Sequence, residues 1–301
     1  MEGYLLNSIK DYLINARIFR NSLEYSKVIP GYFHSIGSGA EPCRSFDGVH
    51  TYVMFIGIGR SGTTLIGSLL DAHPRMIIAN QETALKYMHP LFFSRCQVYR
   101  LLLRNSREMA ANSRIGGGGY SYAVEGQWQG RFQQLEVMGD KSKSAQDVTW
   151  LTTRPSILER MVKVTGARIR MMHVIRNPYD TIATRSVRRN LSLEWISREY
   201  FALADKLQKL IERIEGETEF DVDRIPLHLE DFISDPEKHL ASVCSRLGVE
   251  AEADYLRDCA AIVKRKPHKR RHEVEWDPAL IDEIKGLIAG HPFLKRYSFD
   301  D

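Results

Sequence analysis

Short unbroken apolar runs alternate along this chain with longer stretches whose apolar residues recur every third or fourth position. The first run, Tyr52 to Ile56, ends in Gly57 and reads as a buried parallel strand entering a turn. Ile169 to Ile175 and Ile225 to Leu229, mostly apolar with a few polar residues, are further strand candidates, and Met76 to Ala79 is a shorter one. Between them the helical period takes over. Leu5 to Leu23 has an amphipathic pattern, and Thr63 to Ala72 a helical one stopped by His73-Pro74. Leu91 to Met109 follows, then Ser156 to Val164, with Pro155 suited to its first turn and Gly166 to its C-cap. A helix starts at Pro178. From Trp195 to Ile214 the residues Ile196, Tyr200, Leu203, Leu207, Leu210 and Ile214 fall on one face. Pro236 to Leu247 and Asp277 to Ala289 complete the set.

Strands alternating with helices predict a three-layer α/β/α sandwich with a mainly parallel central sheet. No linker interrupts the pattern, so residues 1–301 are expected to form one domain. Residues 1–50 would be an N-terminal helix and an irregular extension. The four glycines Gly116 to Gly119 are costly to hold rigid and read as a loop.

Composition narrows the class. With 43% hydrophobic and 27% charged residues the chain is an ordinary globular protein, not a disordered one. A formal charge of +4 over 301 residues does not mark a nucleic-acid binder. The positive charge is concentrated near Arg185 and between Lys264 and Arg271. Four cysteines, Cys43, Cys96, Cys244 and Cys259, form no C-x-x-C pair, so reduced thiols and no zinc site are expected. The amino terminus lacks the apolar core of a signal peptide, and no run approaches the roughly 20 residues of a membrane span. A cytoplasmic protein is the expectation.

The candidate chemistry lies in two strand-to-helix junctions. In Gly57-Ile-Gly-Arg-Ser-Gly-Thr-Thr64 the glycines let successive N–H groups turn inward, and the following helix adds the positive end of its dipole. That is an anion cradle. The spacing from Gly57 to Gly62 matches a phosphate-binding P-loop, but Thr63 occupies the position of the lysine that a nucleoside triphosphatase needs. No apolar strand ends in an aspartate placed to hold magnesium, and no metal is expected. The second junction closes the strand Ile169–Ile175 with Arg176, and a hydroxyl follows at Thr184 on the next helix. An arginine there offers a fork to a phosphate.

The run Phe55-Ile-Gly-Ile-Gly-Arg-Ser-Gly-Thr-Thr-Leu65, continuing through Leu69-Leu-Asp-Ala-His-Pro74, resembles the 5′-phosphosulfate-binding motif of sulfotransferases. Its flavour is that of bacterial and protein-tyrosine sulfotransferases. The resemblance implies a P-loop-like nucleotide site for 3′-phosphoadenosine 5′-phosphosulfate (PAPS), leaving adenosine 3′,5′-bisphosphate (PAP) as product. By it Gly59, Arg60, Ser61, Gly62, Thr63 and Thr64 wrap the 5′-phosphosulfate. Arg176 and Thr184 match the family's 3′-phosphate ligands, Ser186 lying at the wrong helical angle, and Asp180 serves structure. The basic segment 262–276 resembles the loop that closes over the nucleotide, with Lys269 and Arg271 as its expected phosphate contacts. Leu227 to Glu237, leading to Gly248, resembles a core-packing segment of bacterial members.

For the chemistry, the resemblance points to Arg60 and Lys141 to relieve charge on the leaving oxygen and to Glu82 as the general base. This chain carries one residue more than the tyrosine enzymes between His73-Pro74 and Thr83. His89 and His173 are alternative bases, His173 reading as a core histidine inside an apolar strand. The acceptor could be a small molecule, carbohydrate, lipid or peptide. Tyr120, Tyr122, Gln127, Trp128 and Gln133 are expected to line its pocket. Two rivals fit parts of the pattern: a P-loop-like nucleotide kinase, and a non-catalytic nucleotide- or RNA-binding module using the Lys264–Arg271 cluster.

Overall fold

The computed structural model describes residues 31, 35–36, 41–88, 93–112, 119–142, 145–216 and 220–301. The amphipathic pattern at Leu5–Leu23, His89 and three glycines of the run at 116–119 lie outside these residues. Five strands form one sheet: β1 (Thr51–Ile56), β2 (Met76–Asn80), β3 (Val137–Lys141), β4 (Arg168–Ile175) and β5 (Val222–His228). Their order is β2-β3-β1-β4-β5 and every pairing is parallel. All six residues of β1 are buried, as its continuous apolar run requires at the centre of a sheet covered on both faces.

Alternation along the strands divides the core in two. Tyr52, Met54 and Ile56 face a cluster with α2 (Arg95–Ala111), α3 (Ala145–Thr153), α4 (Ser156–Thr165), α6 (Leu193–Glu215) and α10 (Pro278–Ala289). Val53 and Phe55 face the other cluster, built with α1 (Thr63–Leu70), α7 (Leu229–Ser234), α8 (Pro236–Leu247) and α9 (Ala253–Ala261). The three-layer sandwich is therefore as expected. α5 (Pro178–Arg189) leads from β4 into the long α6. Asn177 caps α5 by accepting from the Tyr179 amide at 3.0 Å, with Pro178 in the first turn.

Two expectations are corrected. The segment Ile225–Leu229 ends as a strand at His228, and Leu229 already opens α7. The cysteines are not all reduced: Cys43 and Cys96 are joined in a disulfide across 53 residues, while Cys244 and Cys259 are free and buried. The disulfide fastens the irregular segment before β1 to the first turn of α2. Arg95 strengthens the same junction, donating to the Phe46 and Val49 carbonyls at 2.9 and 2.8 Å. No helix among the described residues is long and apolar enough to cross a membrane.

Candidate active site

Parallel strands deliver all their C-terminal ends to one edge, and neighbouring strands lie about 5 Å apart. β1 and β4 are neighbours with Ile56 opposite His173, so the loop after β1 and Arg176 after β4 emerge side by side. The loop is shaped by backbone conformations that side chains resist. Gly57, Arg60 and Gly62 have φ of 127°, 80° and 96°. Gly62 caps α1, and a Cβ there would come within 2.6 Å of the Leu229 side chain, so both the turn and the packing demand glycine. Arg60 accepts a left-handed conformation without that excuse, a strain typical of functional loops.

Arg176 joins the two junctions. Its Nη1 donates to the Arg60 carbonyl at 3.2 Å, and its Nη2 donates to the carbonyl of His268 in the basic segment. Burial holds this guanidinium below its ordinary pKa, with Asp180 and Glu230 pulling the other way. Neither acid bonds it. Asp180 is engaged by Arg271, and Glu230 accepts from the Asn177 amide and the Tyr297 hydroxyl. A half-buried cation whose hydrogen bonds among the described residues go only to carbonyls has its fork open to an anion.

Further cations lie on α5, among them Arg185, which Glu199 meets at 3.1 Å. Burial, then the neighbouring Arg188, lowers the pKa of Arg60; burial likewise lowers that of Arg185, which feels Arg60 in turn. Thr181, Thr184, Arg185 and Arg188 follow Asn177 at three- and four-residue steps and so share a face of α5. The Ser61 and Thr181 hydroxyls are buried without a hydrogen-bond partner among the described residues, and both line a small cavity with Arg176, Ile58 and Tyr200. Thr184 is half-buried on the same helix face. Ser186 instead donates to the Leu191 carbonyl at 2.6 Å and closes the end of α5. Thr181, Arg185 and Arg188 escaped the sequence reading, although their spacing from Asn177 carries the signal.

Farther along the edge, β3 and β2 present the other candidates. Lys141 ends β3 and is buried, its side chain lying over Gly67 of α1, where an added Cβ would meet the lysine Cβ at 3.4 Å. Glu82 follows β2, two strands or about 10 Å from β1. Its carboxylate pairs with Lys86 and accepts the Thr83 amide at 3.1 Å. Beneath it Asp140 is fully buried, accepting from the Tyr52 hydroxyl and from the Ala84 amide at 3.0 Å. Burial pushes the Asp140 carboxyl up to about 7, against the lowering effect of those two donors.

Three expectations change here. Arg271 does not face the loop. It is 2% exposed, its Nη1 donates to Asp180 at 2.7 Å, its Nε to the Phe299 carbonyl at 2.7 Å, and its Nη2 to the Asp301 carbonyl. Every guanidinium nitrogen is engaged, so its work is structural, and Asp180 has the structural role expected of it. Lys269 is exposed and donates to the Asp301 carbonyl. Of the expected acceptor pocket, Tyr122 stands near Arg60 and Arg188 and touches Tyr120 edge-on at 4.8 Å. Gln127, Trp128 and Gln133 do not join them. The Trp128 and Gln133 amides donate to Ala72 and Pro74 at the opposite end of the sheet, where β2 begins, and Gln127 bonds Asp258 of α9. His173 lies in the core edge-on to Phe293, where burial pushes it down to about 3. Among the described residues no cluster of His, Cys, Asp or Glu could hold a metal ion.

A family model described as "Sulfotransferase family" matches residues 53–253, two thirds of the chain and both junctions with it. No curated protein sequence matches the chain. Several solved structures are similar at low identity. Mouse sulfotransferase SULT7A1, complexed with PAP, is 13% identical over 87% of this chain and 95% of that one, with a TM-score of 0.45. Sulfotransferase STF9 from Mycobacterium avium is 13% identical over 80% and 76%, with a TM-score of 0.43. With its phosphate loop, its arginine-ended neighbouring strand and the family match spanning both, the chain belongs to the sulfotransferases, enzymes that move a sulfuryl group from PAPS to an acceptor.

Proposed function

We propose that the Gly57–Thr64 loop and the Arg176–Thr184 junction hold the two phosphate ends of one PAPS molecule, and that Glu82 serves as the base toward the acceptor. What supports this reading is Arg176, a half-buried guanidinium bonded to the backbone of the first loop and to the basic segment, with no carboxylate bonded to it among the described residues. The residues present fit the donor. Ser61 and Thr181 offer buried hydroxyls without hydrogen-bond partners among the described residues, and Arg60, Arg176 and Arg188 bring positive charge to the loop where two phosphates need neutralising.

PAPS, when bound, supplies a sulfuryl group on a phosphate leaving group. The first-turn amides of α1 and the Arg60 fork stabilise negative charge at that phosphate. Lys141, at the end of the next strand, adds a cation on the side of α1. Arg176, Thr184 and Thr181 fix the opposite end, and with it the line of approach. Glu82 takes the proton from the incoming hydroxyl or amine at its carboxylate, and Lys86, already paired with it, balances the charge while the base waits. Lys269 and His268 belong to the segment that closes over the nucleotide. Tyr122 faces the acceptor.

The disulfide bears on the compartment. Cys43–Cys96 favours an oxidising compartment over the cytoplasm that composition led us to expect. The class of acceptor is tested by screening phenols, sugars, lipids and peptides with sulfur-labelled PAPS. On the acceptor so found, Glu82→Gln should keep PAP affinity and lose transfer by about a hundredfold or more. Wild-type turnover in that variant would remove Glu82 from the mechanism.

A further inference from the structure

Among the described residues five large apolar side chains stand exposed, and three share one corner: Val187 at 47%, Leu191 at 37% and Trp195 at 56%. The corner is the turn between α5 and α6, and it is firmly built. Asn190 ends α5 in a left-handed conformation, Ser186 donates to the Leu191 carbonyl, and Ser192 caps α6 by accepting from the Trp195 amide at 3.3 Å. The apolar groups are thus held out toward solvent by an ordered frame. Around them the charge is one-sided. Residues 185 to 199 carry four arginines, Arg185, Arg188, Arg189 and Arg198, against Glu194 and Glu199. Glu199 is shared by Arg185 and Arg189, while Arg188 and Arg198 are exposed and form no ion pair among the described residues.

We propose that this corner seats the protein on an anionic lipid bilayer, with Trp195, Leu191 and Val187 entering the interface and the arginines meeting the headgroups. Apolar tips with a tryptophan, ringed by cations, match that boundary in both polarity and charge. A second copy of the chain fits less well, because a two-fold contact through this patch would press like arginines together. An acidic peptide would need a groove or a free strand edge, whereas these side chains project from the turn between two helices. Seated this way, Arg188 faces both the bilayer and Arg60, so the donor site opens close to the lipid surface. The proposal goes beyond the donor-site reading and is separable from it, since PAP binding in solution does not require lipid.

The test is co-sedimentation of the full chain with vesicles of phosphatidylcholine alone or with about 30 mol % phosphatidylglycerol. Binding is expected to the anionic vesicles only, weakened by salt, and reduced about tenfold or more both in Leu191→Ser/Trp195→Ala and in Arg198→Glu. PAP affinity and thermal midpoint should stay at wild-type values in the double variant, which separates a lost docking surface from a lost fold or donor site. The proposal is overturned if the wild type ignores anionic vesicles or if both variants bind them as it does. It is equally overturned if sedimentation equilibrium shows a dimer that the double variant dissolves, or if a glutamate–tyrosine copolymer binds the corner and vesicles do not.

Discussion

Arg271 and Asp180 are each 2% exposed and joined at 2.7 Å. Removing one partner of such a pair strands the other charge in the interior, at about 3–5 kcal/mol. Arg271→Ala should therefore lower the unfolding free energy read from urea titration by that order, not act as a selective loss of PAP affinity in a stable fold. A stable variant with weak PAP binding would return Arg271 to the phosphate site. Arg60 makes the complementary case. Its φ of 80° suits glycine, so Arg60→Gly should stabilise the fold by about 1 kcal/mol while weakening PAP. Chemical unfolding and calorimetry on one variant would show these opposite signs; a loss of stability would mean the arginine side chain supports the loop. The same two residues mark how far a sequence can be read. Arg60 was legible because its neighbours are glycines in a recognisable order. Arg271 sits in a run of cations, and nothing in that run tells which one turns inward to meet an aspartate 91 positions away.

At the scale of elements, β1 was legible because its run is apolar and buried on two faces, and β4 because Met171, Met172, Val174 and Ile175 keep it mostly apolar around Arg170 and His173. β3 has no such signature. It contains Gly139, Asp140 and Lys141, and it is a strand because the fold supplies partners for its buried charges: Tyr52 and the Ala84 amide for Asp140, the surface of α1 for Lys141. The carboxyl of Asp140 titrates near 7 in the fold and near 4 in an unfolded chain. Between those values the folded state binds more protons, so stability contributed at this position falls as pH rises through the window. His173, pushed down to about 3, acts in the opposite sense between about 3 and 6.5, and it does so in wild type and variant alike. Asp140→Asn should therefore gain on the wild type between pH 5 and pH 8, by on the order of 2–4 kcal/mol. Urea midpoints at the two pH values decide it; an unchanged difference would mean that Asp140 stays ionised throughout.

For the molecule as a whole, the disulfide is the feature the sequence concealed most completely. Cys43 and Cys96 belong to no motif, and they meet only because the segment before β1 is laid against α2 by Arg95 and Arg100. Closing so long a loop contributes about 2–4 kcal/mol. Reductant should lower the unfolding free energy of the wild type by that amount, seen as a lower urea midpoint, and leave Cys43→Ser/Cys96→Ser unaffected. Equal midpoints with and without reductant would leave the bond without a stabilising role.

The organisation of the sheet matters most for the donor. Neighbouring strands β1 and β4 end beside each other, each at a junction proposed to hold one phosphate of the donor, and Arg176 ties the two together. Calorimetry with PAP and with adenosine 5′-phosphate, which lacks the 3′-phosphate, tests that arrangement directly. The wild type should prefer PAP by about ten- to a hundredfold, the worth of a charge-assisted contact. Arg176→Ala should abolish the preference, and Arg60→Ala should weaken both nucleotides while keeping it. An Arg176→Ala protein that still favours PAP as strongly as the wild type would contradict the account.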